Sequence, residues 1–175
     1  MPALTIRERI MAEVERRLST VVEGQPVDDP YLVEFGFVSR GAPLEEMHET
    51  ARYGLAILDT DERVNPRIQQ YVCQLVVVVE FLAWVDQVSG ETPSTVANKV
   101  LGAIQRRMRE DIHLTEPEGS PVLPELDRQL SENVQEVRSQ LFIDGYADRK
   151  VSGASFWEIT YKRGIADPRE RVSHF

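Results

Sequence analysis

The chain is poor in the residue types that most chemistry relies on. It has a single cysteine, Cys73, so it forms no intrachain disulfide and is compatible with a reducing compartment. It has three histidines, His48, His113 and His174, too few and too scattered for a histidine-based metal centre. Glycine-rich phosphate loops are absent; Gly36 and Gly41 sit in no phosphate-binding pattern. No Ser-His-Asp set comes with a local nucleophile signature. Basic charge is also in deficit: 20 Lys and Arg against 29 Asp and Glu give a net charge of −9, which argues against a protein that wraps nucleic acid. No run of ~20 apolar residues is available to span a bilayer, and the first residues, MPALTIRERIMAEVERRL, lack the unbroken apolar core of a signal peptide.

What is present is an ordinary globular composition, 42% hydrophobic and 7% aromatic over 175 residues, suited to one domain spanning residues 1–175. Its clearest feature is the stretch Tyr71 to Asp86, YVCQLVVVVEFLAWVD. Every second residue is apolar: Tyr71, Cys73, Leu75, Val77, Val79, Phe81, Ala83 and Val85. The alternate phase, Val72, Gln74, Val76, Val78, Glu80, Leu82, Trp84 and Asp86, is mixed. Period two with one uniform phase predicts a strand with one face in a core. At about 3.3 Å per residue it reaches roughly 50 Å, far longer than a usual strand. Such a strand can outrun its own domain. Cys73 lies in the apolar phase and is expected to be an inert, buried thiol.

The other segments arrange themselves around this strand. Thr5 and Glu8 have capping-box spacing, and Ile6, Ile10, Val14 and Leu18 give an amphipathic helix that should stop near Gly24-Gln25-Pro26. Leu32 to Ser39 reads as a strand in which Gly36 marks a bulge or a close backbone approach. Tyr53 to Leu58 reads as a short strand ended by Asp59-Thr60-Asp61-Glu62, with Asn65-Pro66 as punctuation. Thr92-Pro93 starts a second helix with the stripe Val96, Val100, Leu101, Ile104, Met108 and Ile112. Thr115 to Asp127 is a proline-rich loop. Asn133 to Tyr146 alternates, with Val137, Ser139, Leu141 and Ile143 on one side. Tyr146 to Ala154 is a polar connection, and Ser155 to Arg163 places Trp157, Ile159 and Tyr161 opposite Phe156, Glu158, Thr160 and Lys162, completing a hairpin. Residues from about 164 to 175 are a charged tail. Strands in runs, rather than alternating with helices, predict an α+β fold: a largely antiparallel sheet, two helices on one face, and one unusually long central strand.

Two acidic clusters invite a metal: Glu45-Glu46-Met47-His48-Glu49 sets a histidine among carboxylates, but His113 and His174 show no comparable spacing, and Asp59/Asp61/Glu62 lacks the glycine and distal glutamate of a calcium loop; solvated surface segments explain both. Arg106, Arg107 and Arg109 read as positive charge complementing a helix C-terminus, or as a contact for phosphate or a partner. In the mixed phase of the long strand, Val76, Val78, Leu82 and Trp84 are cover for a helix or loop, or a patch for another subunit.

The succession IRERIMAEVERRL, GLAILDTDERV, QLVVVVEFLAW, STVANKVLGAIQRRM and FWEITYKRGIADPR resembles the tail terminator (tail completion) proteins of long-tailed bacteriophages. Ala166-Asp167-Pro168 lies where that family's closing strand runs into a short Asp-Pro tail. The resemblance implies a virion structural protein without enzymatic activity or cofactor. Such a protein assembles in the host cytoplasm as a homo-oligomer, usually a hexameric ring, on the head-proximal end of the tail tube. It stops the tube protein from polymerising, meets the head–tail connector or neck protein and, in contractile tails, the sheath. Genomic DNA passes through it without specific binding, and no membrane is involved. Arg106, Arg107, Asp167 and Pro168 join the four strand residues as candidate contacts. Other connector, neck or baseplate proteins share this texture, and a small α+β enzyme or ligand-binding module with a site built from scattered residues is the alternative of a different class.

Overall fold

The computed structural model describes residues 4–19, 33–41, 44, 51–67, 70–86, 90–117, 128–143 and 149–164. In chain order the elements are α1 (Ile6–Ser19), β1 (Phe37–Arg40), β2 (Tyr53–Arg67), β3 (Gln70–Trp84), α2 (Pro93–Arg109), β4 (Asn133–Phe142) and β5 (Lys150–Gly164). The five strands form one sheet in the order β1-β2-β3-β5-β4, antiparallel throughout except where β1 runs parallel to β2. This is the α+β class that the strand-rich order predicts.

The long strand lies at the centre, and its odd phase is interior. Cys73, Leu75, Val77, Val79, Phe81 and Ala83 are fully buried. They share one cluster with the helix stripes, Ile6, Ile10, Val14 and Leu18 of α1 and Val96, Val100, Ile104 and Met108 of α2, and with Trp157, Ile159 and Tyr161 of β5. Each helix therefore gives this face of the sheet a row of residues one turn apart. Phe81 pairs with Gly153 across β3 and β5, and its ring occupies the space a side chain there would need: a Cβ on Gly153 would lie 2.6 Å from Phe81 Cε1.

Helix starts follow the sequence, with one difference. Thr92 caps α2 through its side chain, which accepts from the Thr95 amide at 3.2 Å, and Pro93 follows. At α1 only half of the capping box forms. The Glu8 amide donates to Thr5 Oγ1 at 3.2 Å, but the Glu8 carboxylate turns outward to Arg40, at 2.9 and 3.2 Å. The expected stop of α1 near Gly24 to Pro26 lies outside the described residues. Ile112 falls beyond α2 and is exposed rather than part of its buried stripe.

Four strand boundaries or phases differ from expectation. β2 does not stop at Leu58; it runs on through Asp59–Glu62 to Arg67, paired with β3, with a bulge at the acidic cluster. Side chains from elsewhere satisfy those carboxylates: Arg7 reaches Asp59 at 3.0 Å, and Tyr161 donates to Glu62. β5 begins at Lys150, so the end of the supposed polar connection is strand. β1 is only four residues long; Val33 and Phe35 precede it yet are buried. Gly36 is a close approach, its amide donating to the Tyr53 carbonyl at 3.1 Å with Ala51 3.3 Å from where a Cβ would lie. In β4, Val137 is the extra residue of a bulge between Glu136 and Arg138, which leaves it 54% exposed.

Candidate assembly surface

The even phase of β3 faces away from the main core. Register carries that face across the sheet: Leu58, Val78 and Phe156 stand in one row on β2, β3 and β5, and Ala56, Glu80 and Ala154 in the next. Val76, Leu82 and Trp84 continue the column along β3. Ala56, Val78 and Ala154 are buried but belong to no part of the main core cluster. Val76, Leu82, Trp84, Leu58 and Phe156 are half-buried. The result is a largely apolar face crossing three strands, with Glu80 within it.

Its polar margin is ordered by cation–ring contacts and one hydrogen bond. Arg138 of β4 lies over the Phe156 ring, 4.1 Å from its centroid, and Lys150 Nζ lies 4.2 Å from that of Trp84. Gln74 donates to Glu158 at 3.2 Å. The indole N–H of Trp84 is covered and has no hydrogen-bond partner, although its backbone amide donates to the Arg52 carbonyl at 2.9 Å. Large aromatics are enriched at interfaces, which makes Trp84 and Phe156 the candidate anchors of this face.

The structure therefore places Val76, Val78, Leu82 and Trp84 together, and it adds Leu58 and Phe156, which the sequence reading left out. Phe156 was already visible as the phase opposite Trp157. Leu58 was not, because its strand was expected to end there. The arginines do not join this patch. Arg106 is exposed near the end of α2. Arg107 lies in the last turn of α2, as its spacing predicts, but its side chain is buried. Its guanidinium donates to the Leu18 carbonyl at 2.6 Å and the Val33 carbonyl at 2.7 Å and lies 4.7 Å from the Phe35 ring centroid. It ties α2 to the last turn of α1 and to the segment entering β1, satisfying carbonyls that the helix cannot. Burial lowers its pKa. Asp167 and Pro168 lie outside the described residues.

The Asp59/Asp61/Glu62 cluster shows no metal-binding geometry. Among the described residues no three His, Cys, Asp or Glu side chains come together. Asp59 faces Arg7 and Arg40, at 3.0 and 4.0 Å, and Glu62 lies between Tyr161 and Arg7. Burial and the Glu62 carboxylate together push the Tyr161 hydroxyl far above its usual range. Glu45, Glu46, His48 and Glu49 lie outside the described residues. Burial also raises the Cys73 thiol, which makes the thiolate scarcer. No helix among the described residues is long and apolar enough to cross a membrane.

No protein-family model matches the chain, and no curated protein matches it.

Proposed function

We propose that the chain is a non-catalytic structural subunit that assembles head to tail with copies of itself into a ring. We propose further that this ring acts as the phage tail terminators do, capping the head-proximal end of a tail tube and offering a surface to the connector or neck. The observation that carries the assembly reading is the second apolar face of the sheet. Leu58 and Phe156 lie half-buried on either side of the buried Val78, and Leu82 and Trp84, also half-buried, lie further along β3, a face with apolar surface left for a neighbour to cover. A neighbour laid on it removes that surface from water. The tail-end role rests on the resemblance of the segments, in the same order, to that family. The charge of −9 per chain suits a passage for DNA, since phosphates gain nothing from a net acidic lumen.

Mass photometry and negative-stain microscopy of the purified chain test the assembly: rings of uniform copy number are expected. Trp84→Asp should give a folded subunit that no longer forms them, because one altered patch weakens every joint of a closed head-to-tail ring. Virions carrying that variant should have overlong or headless tails. A Trp84→Asp chain that still forms rings removes this face from the joint, and an unfolded one returns Trp84 to the core.

A further inference from the structure

The five-stranded sheet ends in two edges, β1 and β4, and among the described residues no strand pairs with the outer side of either. Beyond Ile57, where β1 stops, the outer side of β2 is a third stretch of open edge. These three edges are not equivalent. The β2 stretch is bulged and carries Asp61, Arg63, Pro66 and Arg67, all exposed, which are the devices that keep a sheet edge from accepting another strand. The β4 edge has the opposite character. From Ser139 to Ile143 it reads Ser-Gln-Leu-Phe-Ile, with no charge, proline or glycine. It also carries three of the six exposed large hydrophobic residues among those described: Val137, Phe142 and Ile143. β1, Phe-Val-Ser-Arg, matches the Ser139–Phe142 stretch in length.

Strand directions make the two open edges compatible. β1 and β2 run the same way, β3 reverses, β5 reverses again, and β4 runs opposite to β5. A second sheet in the same orientation, set beside β4, presents its β1 antiparallel to it, the better-bonded arrangement. We propose that neighbouring subunits of the ring are joined by pairing of β4, at Ser139–Phe142, with β1 of the next copy, so that the sheet continues from one subunit to the next. This inference rests on the ring reading above and adds an edge contact to the face contact proposed there. The contact is head to tail, as a ring requires. It also extends the apolar outer face of one subunit towards that of its neighbour. The guarded stretch of β2 confines pairing to the reach of β1, which fixes where the next strand stops.

Disulfide trapping tests it. Ser39 of β1 and Arg138, Gln140 and Phe142 of β4 all lie on the outer face, by register with Ala56, Phe156, Ala154 and Ser152. Opposed residues of an antiparallel pair bring Cβ atoms to about 4.5–5.5 Å, close enough for a bridge with slight adjustment. Cys73 is buried and adds no background. Ser39→Cys is combined in turn with Arg138→Cys, Gln140→Cys and Phe142→Cys, three positions two residues apart that sample the register. On oxidation, at least one pair should give a ladder of covalent multimers up to the ring's full copy number, and no single variant should. Gln140→Lys should abolish rings while leaving the subunit's circular dichroism and melting unchanged. Rings in the parent with no ladder from any pair, or rings retained by Gln140→Lys, overturn the strand joint and leave the ring reading standing. A parent chain that never assembles overturns both.

Discussion

Gly153→Ala tests the packing at the centre of the sheet more sharply than a deletion does. Taken alone, replacing a strand glycine by alanine should stabilise by about 0.5–1 kcal/mol, because less backbone freedom is lost on folding. Here the new methyl would lie 2.6 and 2.7 Å from two atoms of the Phe81 ring and 2.7 Å from the Gln140 carbonyl oxygen. The ring is fully buried and the carbonyl belongs to the paired backbone of β4, so neither has open space to move into. Overpacking of this kind costs about 1–3 kcal/mol, with the upper part expected where backbone is involved. The net expectation is a loss of about 1–2 kcal/mol, or a melting temperature lower by about 2–8 °C for a chain of this size. Urea denaturation gives the free energy directly. Phe81→Leu in the same chain removes the ring atoms that clash, so the double variant should be less destabilised than the sum of the singles. Contacting residues couple by about 0.5–3 kcal/mol in such cycles. A Gly153→Ala protein as stable as its parent, or strict additivity with Phe81→Leu, would show that the ring does not sit over Gly153.

Four further outcomes are expected. Phe81→Ala should cost about 3–5 kcal/mol in denaturant unfolding and yield little soluble protein, since it empties a fully buried site; wild-type melting would place β3 in the other phase. Arg107→Met leaves the Leu18 and Val33 carbonyls without their donors and should cost about 1–3 kcal/mol; Arg107→Lys, with a single ammonium in place of the planar fork, should recover only part of it in the same unfolding assay. Burial works to raise the Asp111 carboxyl, but the amides of Thr115 and His113 and the Arg17 guanidinium outweigh it and hold the group well below its usual value of 3.8. A depressed carboxylate contributes stability above its unfolded pKa and loses it as pH falls towards the folded one, so unfolding followed from pH 5 to pH 2 should show a steeper decline for the parent than for Asp111→Asn. Chelator should leave the melting temperature unchanged, given the absence of any three-ligand cluster among the described residues; a fall restored by one added metal would point to the segment around His48.

Elements whose residues alternate strictly, or repeat every turn, were legible in the sequence because their environment is periodic. The odd phase of β3, the two helix stripes and Trp157/Ile159/Tyr161 all followed from spacing alone. What escaped was decided by distant partners. Nothing between Asp59 and Glu62 indicates that Arg7 and Tyr161 will satisfy those carboxylates and let β2 continue. Arg107 looks like its neighbours at a helix end, yet the carbonyls that draw it inside belong to Leu18 and Val33, 89 and 74 residues away in the chain. The bulge at Val137 shifts the side-chain phase by one, so Val134 and Glu136 before it share the core face with Ser139 and Leu141 after it, a change of phase that the clean alternation beyond Val137 does not reveal. The parallel sense of β1 has no local signal, because direction is set by the crossover and not by the strand. For the candidate assembly surface, the β3 residues were readable from the mixed phase, whereas the contribution of Leu58 depended on knowing how far β2 runs.

The position of Cys73 turns the chain's only thiol into a clock. It sits in the middle strand with its side chain in the core cluster, so no reagent reaches its sulfur until the elements packed on that face of the sheet lift away. When reclosing outpaces modification, the labelling rate counts the fraction of time that the core face stands uncovered, not the fraying of the sheet's margins. If copies assemble as proposed, subunits held between neighbours should label more slowly than free ones, about tenfold for each ~1.4 kcal/mol of stability that assembly adds. Dilution of the protein should speed the reaction across the concentration at which the assembly falls apart. A single modification curve thus reads the opening of the fold and the strength of the assembly on one atom, without a probe being introduced.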